Sequence, residues 1–218
     1  MVLMLLEVTS LATSSEISPQ NKILGIVQKM ISEFEKIRDF TFETEVTYYK
    51  EGLEDEQWHI KFFFKKNKKF RVDFYHPYKG VSVFYKGGEE EVTVRPLRFI
   101  PVVKFHLSID NSMVKAPSGQ RIDQTDIEYF IRFIFKNLKS IQQRENEFQE
   151  DGEQIKFSFW ALDYIEGKYL EKYRVFVSKK IWFPIRVERY NLGGEPVEVI
   201  IFKNHVINAN LEDKLFIP

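Results

Sequence analysis

Apolar and polar residues alternate with a period of two between residues 40 and 85. Phe40 and Phe42, for example, are separated by Thr41 and followed by Glu43. Successive side chains of a β-strand point to opposite faces of a sheet, so this pattern predicts strands with one apolar and one polar face. Such a large aromatic face indicates that helices of the same chain, an apolar ligand, or both cover it. Its residues are Phe40, Phe42, Val46, Tyr48, Trp58, Ile60, Phe62, Phe64, Phe70, Val72 and Phe74.

Further strands follow at spacings that are typical of hairpins. Glycine pairs such as Gly87-Gly88 and Gly193-Gly194 are turn signals between them. Consecutive hairpins predict an antiparallel meander. The predicted strands cover residues 81–86, 91–95, 102–107, 141–148, 155–163, 169–178, 182–190 and 197–208.

Two segments show helical periodicity instead. The first begins after Ser18-Pro19, a favoured helix start, and its apolar residues are Ile23, Val27, Met30, Ile31 and Phe34. The second begins at Thr125, because Thr125-Asp126-Ile127-Glu128 has the form of a capping box. A helix that is apolar around most of its circumference is buried on several sides or contacts a ligand. The apolar residues of this helix are Ile127, Phe130, Ile131, Phe133, Ile134, Phe135 and Leu138.

Length and composition support one domain, either all-β or α+β, and the two predicted helices favour an α+β fold that is mainly β. The 218 residues are 44% hydrophobic and include 21 Phe, enough for a sizeable core. The absence of cysteine excludes disulfides, cysteine–zinc sites and thiol catalysis. Thirty-two basic and 32 acidic residues give a net charge of zero, which argues against a nucleic-acid partner.

The amino-terminal segment leaves two interpretations open. Residues 1–6 are apolar, and small residues such as Ala12 follow within residues 10–15, as at the end of an export signal. However, Glu7 interrupts the apolar run and no basic residue precedes it. Residues 1–20 are therefore either the remnant of an export signal or a disordered terminus. Residues 21–218 are expected to form one domain.

No catalytic or metal-binding pattern is present in the sequence. The four histidines stand far apart, and no spacing of Asp or Glu singles out an acid/base pair or a metal site. Nucleophile elbows, phosphate loops and dinucleotide motifs are also absent. We therefore expect a protein without enzymatic activity and without a cofactor.

A basic run at residues 65–69 is the one conspicuous charge feature. Its simplest interpretation is a charged turn that protects a sheet edge from aggregation. The functional alternative is that Lys66 and Lys68 contact an anionic headgroup or an acidic partner.

The order helix, meander, loop, apolar helix and second meander resembles the LolA-like superfamily of bacterial periplasmic lipoprotein carriers. Residues 62–71 (FFFKKNKKFR) are similar to the second-to-third strand corner of that family, and residues 81–88 (VSVFYKGG) to its next strand and glycine hairpin. Residues 211–218 (LEDKLFIP) resemble its closing acidic–Phe–Pro phrase. Within the superfamily, residues 76–80 and 118–126 look most like an uncharacterised branch.

The resemblance implies a strongly curved, incomplete barrel of about eleven antiparallel strands, with helices covering the concave side. It also implies a cavity that holds acyl chains and an envelope, periplasmic location. The chain departs from the family at one corner, where Lys66-Asn67 replaces the Arg-Pro that tethers the lid helix of true carriers. Cargo transfer of the family's kind is therefore in doubt.

Three functions remain in competition. The first is a carrier or sensor that binds a lipid or an acylated lipoprotein, as a monomer with peripheral membrane contact. The second is a module of the same fold that binds a peptide or an envelope protein in stress regulation, and the third is an enzyme whose site assembles only on folding. For the first, the expected ligand contacts are Phe40, Phe42, Trp58, Ile60, Phe62, Phe64, Phe70, Val72, Phe74, Phe130 and Ile134.

Overall fold

The computed structural model describes residues 18–50, 52–97, 102–125, 127–140 and 147–218. Within these ranges the chain forms two α-helices and eleven β-strands. The helices are α1 (Pro19–Glu35) and α2 (Ile127–Ser140). The strands are β1 (Asp39–Tyr48), β2 (Glu56–Lys65), β3 (Lys69–His76), β4 (Ser82–Lys86), β5 (Glu91–Arg95), β6 (Phe105–Ser108), β7 (Phe148–Glu150), β8 (Gln154–Leu162), β9 (Leu170–Ser178), β10 (Pro184–Tyr190) and β11 (Pro196–Ile207).

All eleven strands belong to one antiparallel sheet, in the order β6-β5-β4-β3-β2-β1-β11-β10-β9-β8-β7. The sheet is curved and not closed into a barrel, and β6 and β7 are its edges. Each half is a meander of sequential neighbours, and the two halves join where β1 pairs with β11. This architecture confirms the predicted mainly β, α+β fold with an incomplete barrel of eleven strands.

The two helices cover one face of the sheet and run antiparallel to each other. The Ser18 hydroxyl accepts a hydrogen bond from the backbone N–H of Asn21 at the start of α1, as expected of an N-cap residue. The Gln20 side chain at this end donates to the backbone carbonyl of Leu138 near the end of α2, at 2.7 Å. The predicted apolar stripes are buried: Ile23, Val27, Met30 and Phe34 in α1, and Ile127, Ile131, Ile134 and Leu138 in α2.

Several predicted boundaries differ from the structure. Helix α2 begins at Ile127, and the predicted capping box includes Asp126, which lies outside the described residues. Strand β6 begins at Phe105, so Val102 and Val103 precede it. Most of the strand predicted over residues 141–148 lies outside the described residues, as does the proposed export signal, and β7 begins at Phe148.

The outer face of the sheet is not simply polar, which corrects the division into one apolar and one polar face. Arg71 and Asp73 on β3 form a buried ion pair with two hydrogen bonds of 2.8 Å. The rings of Phe63 and Phe84 contact the Arg71 guanidinium at 5.4 and 5.3 Å. The carboxy-terminal segment lies across this region, and the Leu215 carbonyl accepts a hydrogen bond from Arg71. Alternation predicts which face a residue occupies, but not what covers that face.

The loop between β8 and β9 is organised around one carboxylate. The Asp163 side chain accepts hydrogen bonds from the backbone N–H groups of residues 165–169, at 2.6–3.3 Å. Burial tends to raise the pKa of Asp163, but the N–H donors outweigh it, and the pKa lies below the usual carboxyl value. The carboxylate therefore replaces several hydrogen bonds that the loop backbone would otherwise make with water.

Substituting this carboxylate should unfold the loop locally and weaken the whole domain. Asp163→Ala is expected to lower the free energy of unfolding by about 2–3 kcal/mol, because several backbone donors lose their acceptor. A lowered folded-state pKa stabilises above the unfolded pKa, and that contribution is lost as the pH falls through the folded value. The difference from wild type, measured by urea denaturation, should therefore shrink below about pH 4.

Asp151 provides the matched control for this experiment. It also accepts backbone hydrogen bonds, from Glu153 and Gln154, but in an exposed turn. Asp151→Ala should cost clearly less stability than Asp163→Ala. Equal losses would show that burial of the Asp163 loop contributes nothing.

Candidate functional site

The face of the sheet beneath the helices is organised in rows of residues that pair across the strands. The deepest row is Phe40, Phe64, Phe70 and Tyr85, and every member of it is buried. Phe34 of α1 covers this row, with its ring centroid 6.2 Å from that of Phe40 and 5.9 Å from that of Phe64. The predicted aromatic face is therefore real, and at this end a helix of the same chain covers it.

Burial decreases along the same face toward the beginning of β2. Phe62 and Phe64 are buried, but Ile60 and Trp58, at the next two positions on this face, are only partly buried. Phe74, opposite Ile60 on β3, is also partly buried. The helices thus cover one end of the aromatic face and leave the other end half open.

The half-open end carries a cluster of aromatic side chains. The Trp58 ring lies edge-on to Phe74 at 5.4 Å and to Tyr78 at 5.8 Å. Tyr78 is 53% exposed. We call Trp58, Ile60, Phe74 and Tyr78 the aromatic rim. Trp58, Ile60 and Phe74 were predicted from the alternation of the strands. Tyr78 was not, because it lies beyond the end of β3.

The apolar face continues from the middle of the sheet to the edge strand β6. Val72 pairs with Val83, Val83 with Val94, and Val94 with Phe105. Val72 and Val83 are buried, Val94 is half-buried, and Phe105 is 52% exposed. The apolar face therefore extends across β3–β6, and it becomes exposed toward the edge of the sheet.

Helix α2 lies over the second half of the sheet. Phe133 contacts Tyr173 of β9 at 5.3 Å and Phe159 of β8 at 6.2 Å between ring centroids. Of the two predicted ligand contacts on this helix, Ile134 is fully buried and Phe130 is half-buried. The structure brings neither of them into the aromatic rim.

The junction between the helices is tightly closed. A pocket between α1 and α2, lined by Ile31, Phe34 and Ile131 among others, has a volume of about 10 Å³. This volume is close to the minimum that one water molecule needs, so no acyl chain fits there in this conformation. A chain could reach the deep row only if the helices move.

Residues 109–125 form a third cover, between β6 and α2. Ile109 is tied to the first half of the sheet by a hydrogen bond from its backbone N–H to the Glu90 carbonyl, at 2.9 Å. On the other half, the Tyr164 hydroxyl donates to the Gln120 side-chain carbonyl at 3.1 Å. Ile122 between these anchors is buried in the core. This segment therefore spans the sheet beside the aromatic rim.

A buried polar belt interrupts the apolar face on β9, β10 and β11. Arg189 donates to both carboxylate oxygens of Glu171, at 2.9 and 3.0 Å, and to one oxygen of Glu198, at 2.8 Å. All three residues are at most 5% exposed. The Tyr164 ring lies over the Arg189 guanidinium at 4.9 Å, and the Tyr173 hydroxyl donates to Glu171. We call Glu171, Arg189 and Glu198, with the tyrosines around them, the polar belt.

Burial shifts the proton equilibria of this belt. Desolvation raises the pKa of Glu198 above the usual carboxyl value, although the neighbouring Arg189 opposes the shift. Burial likewise raises the pKa of Tyr48 and Tyr164, and the charge of Glu198 adds to both shifts. The tyrosines therefore remain neutral hydroxyls, and a proton is easier to place on Glu198 than on an exposed glutamate.

Sequence analysis missed the polar belt, although a signal for it was present. Arg189 follows Val187 by two residues, and Glu198 precedes Ile200 by two. Strict alternation therefore places both charges on the apolar face. Arg174 and Glu188, one position out of phase, pair instead on the outer face.

Lys66 and Lys68 lie at the turn after β2, about 26 Å along that strand from Trp58. The Lys66 ammonium group donates to the Glu35 carbonyl at the end of α1, at 2.9 Å. Lys68 has a left-handed backbone, and a Cβ on Gly87 would lie 2.3 Å from the Lys68 Cβ, so glycine is required there. The structure thus separates these lysines from the aromatic rim, and their contact with headgroups stays a prediction.

Membrane-spanning helices and metal sites were both sought in the described part of the chain. No helix in this part has the length and apolar content to cross a bilayer. No group of three His, Cys, Asp or Glu side chains in it has a geometry that could hold a metal ion.

No protein-family model and no curated protein matches the sequence. Among solved structures, the chain is similar to LprF from Mycobacterium bovis, with 12% identity and a TM-score of 0.50 over 90% of this chain and 97% of that chain. It is also similar to an uncharacterized conserved protein from Thermus thermophilus, with 10% identity and a TM-score of 0.50 over 87% and 91% of the two chains. A LolA superfamily protein from Nitrosomonas europaea matches with 14% identity and a TM-score of 0.40 over 88% and 97%.

These findings define the class of fold. The chain shares the fold of LprF and of the Thermus thermophilus protein, an open, curved antiparallel sheet with helices on one face. This fold is the one that the LolA-like resemblance in the sequence predicted. At identities of 14% and below, the likeness concerns the fold alone. The function has to be inferred from the aromatic rim and its surroundings.

Proposed function

We propose that this protein binds the acyl chain of a lipid or an acylated lipoprotein, without chemical turnover, as a carrier or sensor in the bacterial cell envelope. The observation that carries the proposal is the gradient of burial along β2. Phe62 and Phe64 are buried beneath the helices, while Trp58 and Ile60 on the same face are half open. A soluble domain gains nothing in stability from leaving large aromatic side chains partly in water.

The aromatic rim is the first contact in this proposal. An acyl chain lying on Trp58, Ile60 and Phe74 removes their remaining apolar surface from water, at about 25 cal/mol per Å². The deeper contacts, such as Phe40, Phe42, Phe62, Phe64, Phe70 and Val72, become available only when α1 moves. The chain then replaces apolar contacts that Phe34 makes in the closed form, so opening and binding are coupled.

The LolA-like fold supports the envelope location and the absence of enzymatic activity, which both remain part of the proposal. No cofactor is required for it. We expect a monomer that contacts membranes only at its surface.

Binding of an uncharged fluorescent probe tests the proposal. N-phenyl-1-naphthylamine should bind the wild-type protein and be displaced by monopalmitoylglycerol. Ile60→Trp should weaken probe binding about tenfold, because the larger ring occupies the rim surface, and should leave the fold intact because the position is not tightly packed. Native mass spectrometry of the purified protein should also detect a bound lipid.

Phe63→Trp is the matched control, since Phe63 neighbours the rim in sequence but lies on the outer face of β2. It should leave probe binding unchanged. The proposal fails if the wild-type protein binds neither probe nor lipid, or if both variants change binding equally. Circular dichroism of each variant shows whether the fold is retained.

A second function is favoured by the edge strand β6. Among the described residues, β6 pairs only with β5, and Phe105 and Val102 are 52% and 84% exposed beside its free edge. An extended peptide of an envelope protein could add a strand there. Phe105→Glu should abolish such binding and leave probe binding unchanged, which separates the two functions.

A further inference from the structure

The polar belt lies directly beside the aromatic rim. Tyr48 connects them, because its ring contacts Trp58 edge-on at 5.9 Å and it pairs across the strands with Glu198. Glu198 in turn pairs with Arg189 on β10. A ligand that lies on the rim therefore has apolar carbon on one side and a buried group of charges on the other.

The belt is a costly arrangement for a structural core. Two carboxylates and one guanidinium are removed from water on a face that is otherwise apolar, and apolar side chains of similar volume generally give equal or greater stability. One oxygen of Glu198, Oε1, accepts no hydrogen bond although the residue is only 1% exposed. The Tyr164 hydroxyl is close to Glu198 but donates to Gln120, so Oε1 is a buried acceptor that a ligand donor can satisfy.

The charges of the belt restrict which ligand group can bind at Glu198. Each of the three nitrogen atoms of Arg189 already donates to a carboxylate, of Glu171 or of Glu198. The polar groups near the belt include the hydroxyls of Tyr48, Tyr164 and Tyr173, whose pKa values burial raises, and the buried hydroxyl of Ser118 beside Tyr48. An anionic headgroup would meet two carboxylates and no unpaired cation, whereas a hydroxyl group can donate to Glu198 Oε1.

We infer that the polar belt is the headgroup subsite of the acyl-chain site, and that it selects an uncharged, hydroxyl-bearing headgroup, such as glycerol, over an anionic one. This inference rests on the proposed function. The chain then runs from Glu198 past Trp58 and Ile60 toward Phe62. This arrangement places the headgroup at the opposite end of β2 from Lys66 and Lys68.

Access to the subsite requires residues 109–125 to move. Gln120 of this segment lies over the belt through its hydrogen bond with the Tyr164 hydroxyl, and Tyr164 covers Arg189. A ligand hydroxyl that reaches Glu198 therefore lies next to Tyr164 and Arg189, which this segment covers in the structure. Tyr164→Phe removes the hydrogen bond to Gln120 and should speed probe binding.

Three probes that each carry a chain of about sixteen carbons test the selectivity at about pH 8: monopalmitoylglycerol, palmitate and hexadecylamine. Each is measured by displacement of N-phenyl-1-naphthylamine from the wild-type protein. Monopalmitoylglycerol should bind at least about tenfold more tightly than palmitate, and more tightly than hexadecylamine. Tighter binding of palmitate overturns the inference, and tighter binding of hexadecylamine overturns the choice of a hydroxyl.

Variants assign the selectivity to the belt. Glu171→Gln combined with Glu198→Gln leaves Arg189 without a carboxylate partner, so palmitate binding should improve at least about tenfold and the preference should disappear. Glu45→Gln is the matched control, because Glu45 pairs with Lys203 on the outer face of the sheet. It should retain the wild-type order of affinities.

The single variant Glu198→Gln provides a second test if the double variant does not fold. Its amide oxygen can still accept from Arg189, and its other end donates instead of accepting, so monopalmitoylglycerol should lose affinity while probe binding persists. Unchanged affinities in this variant overturn the subsite. Failure of every probe to bind the wild-type protein overturns the proposed function itself, so the two failures are distinct.

Discussion

Replacing Arg189 by methionine is expected to lower the free energy of unfolding by about 3–5 kcal/mol. The substitution keeps the apolar length of the side chain but leaves Glu171 and Glu198 facing each other in a buried site without their common cation. Two effects then act together: neither carboxylate recovers its hydration, and the two like charges repel. Urea denaturation at neutral pH measures the loss.

The loss should depend on pH in a defined direction. Burial already raises the pKa of Glu198, and loss of the Arg189 guanidinium removes the charge that opposes this shift. A raised pKa contributes stability below the unfolded value and loses it as the pH rises through the folded value. The Arg189→Met variant should therefore lie closer to wild type at about pH 5 than at about pH 8.

Arg186→Met is the control for this experiment. Arg186 lies on the same strand but on the outer face, where it pairs with Glu188 and is largely exposed. Its loss should cost no more than about 1 kcal/mol. An equally small loss at Arg189 would show that the belt does not depend on its central cation.

Phe40→Ala is expected to have a comparable effect, a loss of about 3–5 kcal/mol. The Phe40 side chain is completely buried, and its ring centroid lies 4.7 Å from that of Phe64 and 5.5 Å from that of Phe183. Phe34 of α1 also contacts it. Removal of the ring leaves a cavity between helix and sheet that these neighbours cannot fill completely. Differential scanning calorimetry gives the loss.

The same variant also probes how the helices are held. If α1 opens to admit an acyl chain, a cavity beneath Phe34 should allow N-phenyl-1-naphthylamine to bind more tightly even as the fold weakens. Phe63→Ala, on the outer face of β2 and half-buried, should cost only about 1 kcal/mol and leave binding unchanged. Matching losses at both positions would contradict the packing described for Phe40.

Local sequence patterns predicted the faces of the sheet well. Alternation placed Phe40, Phe62 and Phe70 on one face, and helical spacing identified the buried stripes of α1 and α2. These predictions depend only on the geometry of one strand or one helix, which the chain specifies locally. The LolA-like resemblance supplied the remaining architecture.

Features that depend on contacts between distant segments could not be predicted from local sequence patterns. The pairing of β1 with β11 and the half-open state of Trp58 both depend on which segments come to lie beside a strand. The burial of Arg71 depends on the carboxy-terminal segment that crosses β3. Periodicity specifies a face, whereas coverage of that face is a property of the whole fold.

The junction between β1 and β11 has a consequence for synthesis on the ribosome. Phe40 pairs with Ile207, so β1 has only β2 as a sheet neighbour until β11 has been synthesised. During that time one edge of a strand rich in phenylalanine has open backbone hydrogen-bonding groups. The nascent chain therefore carries an open strand edge that can pair with other chains until β11 emerges and pairs with β1.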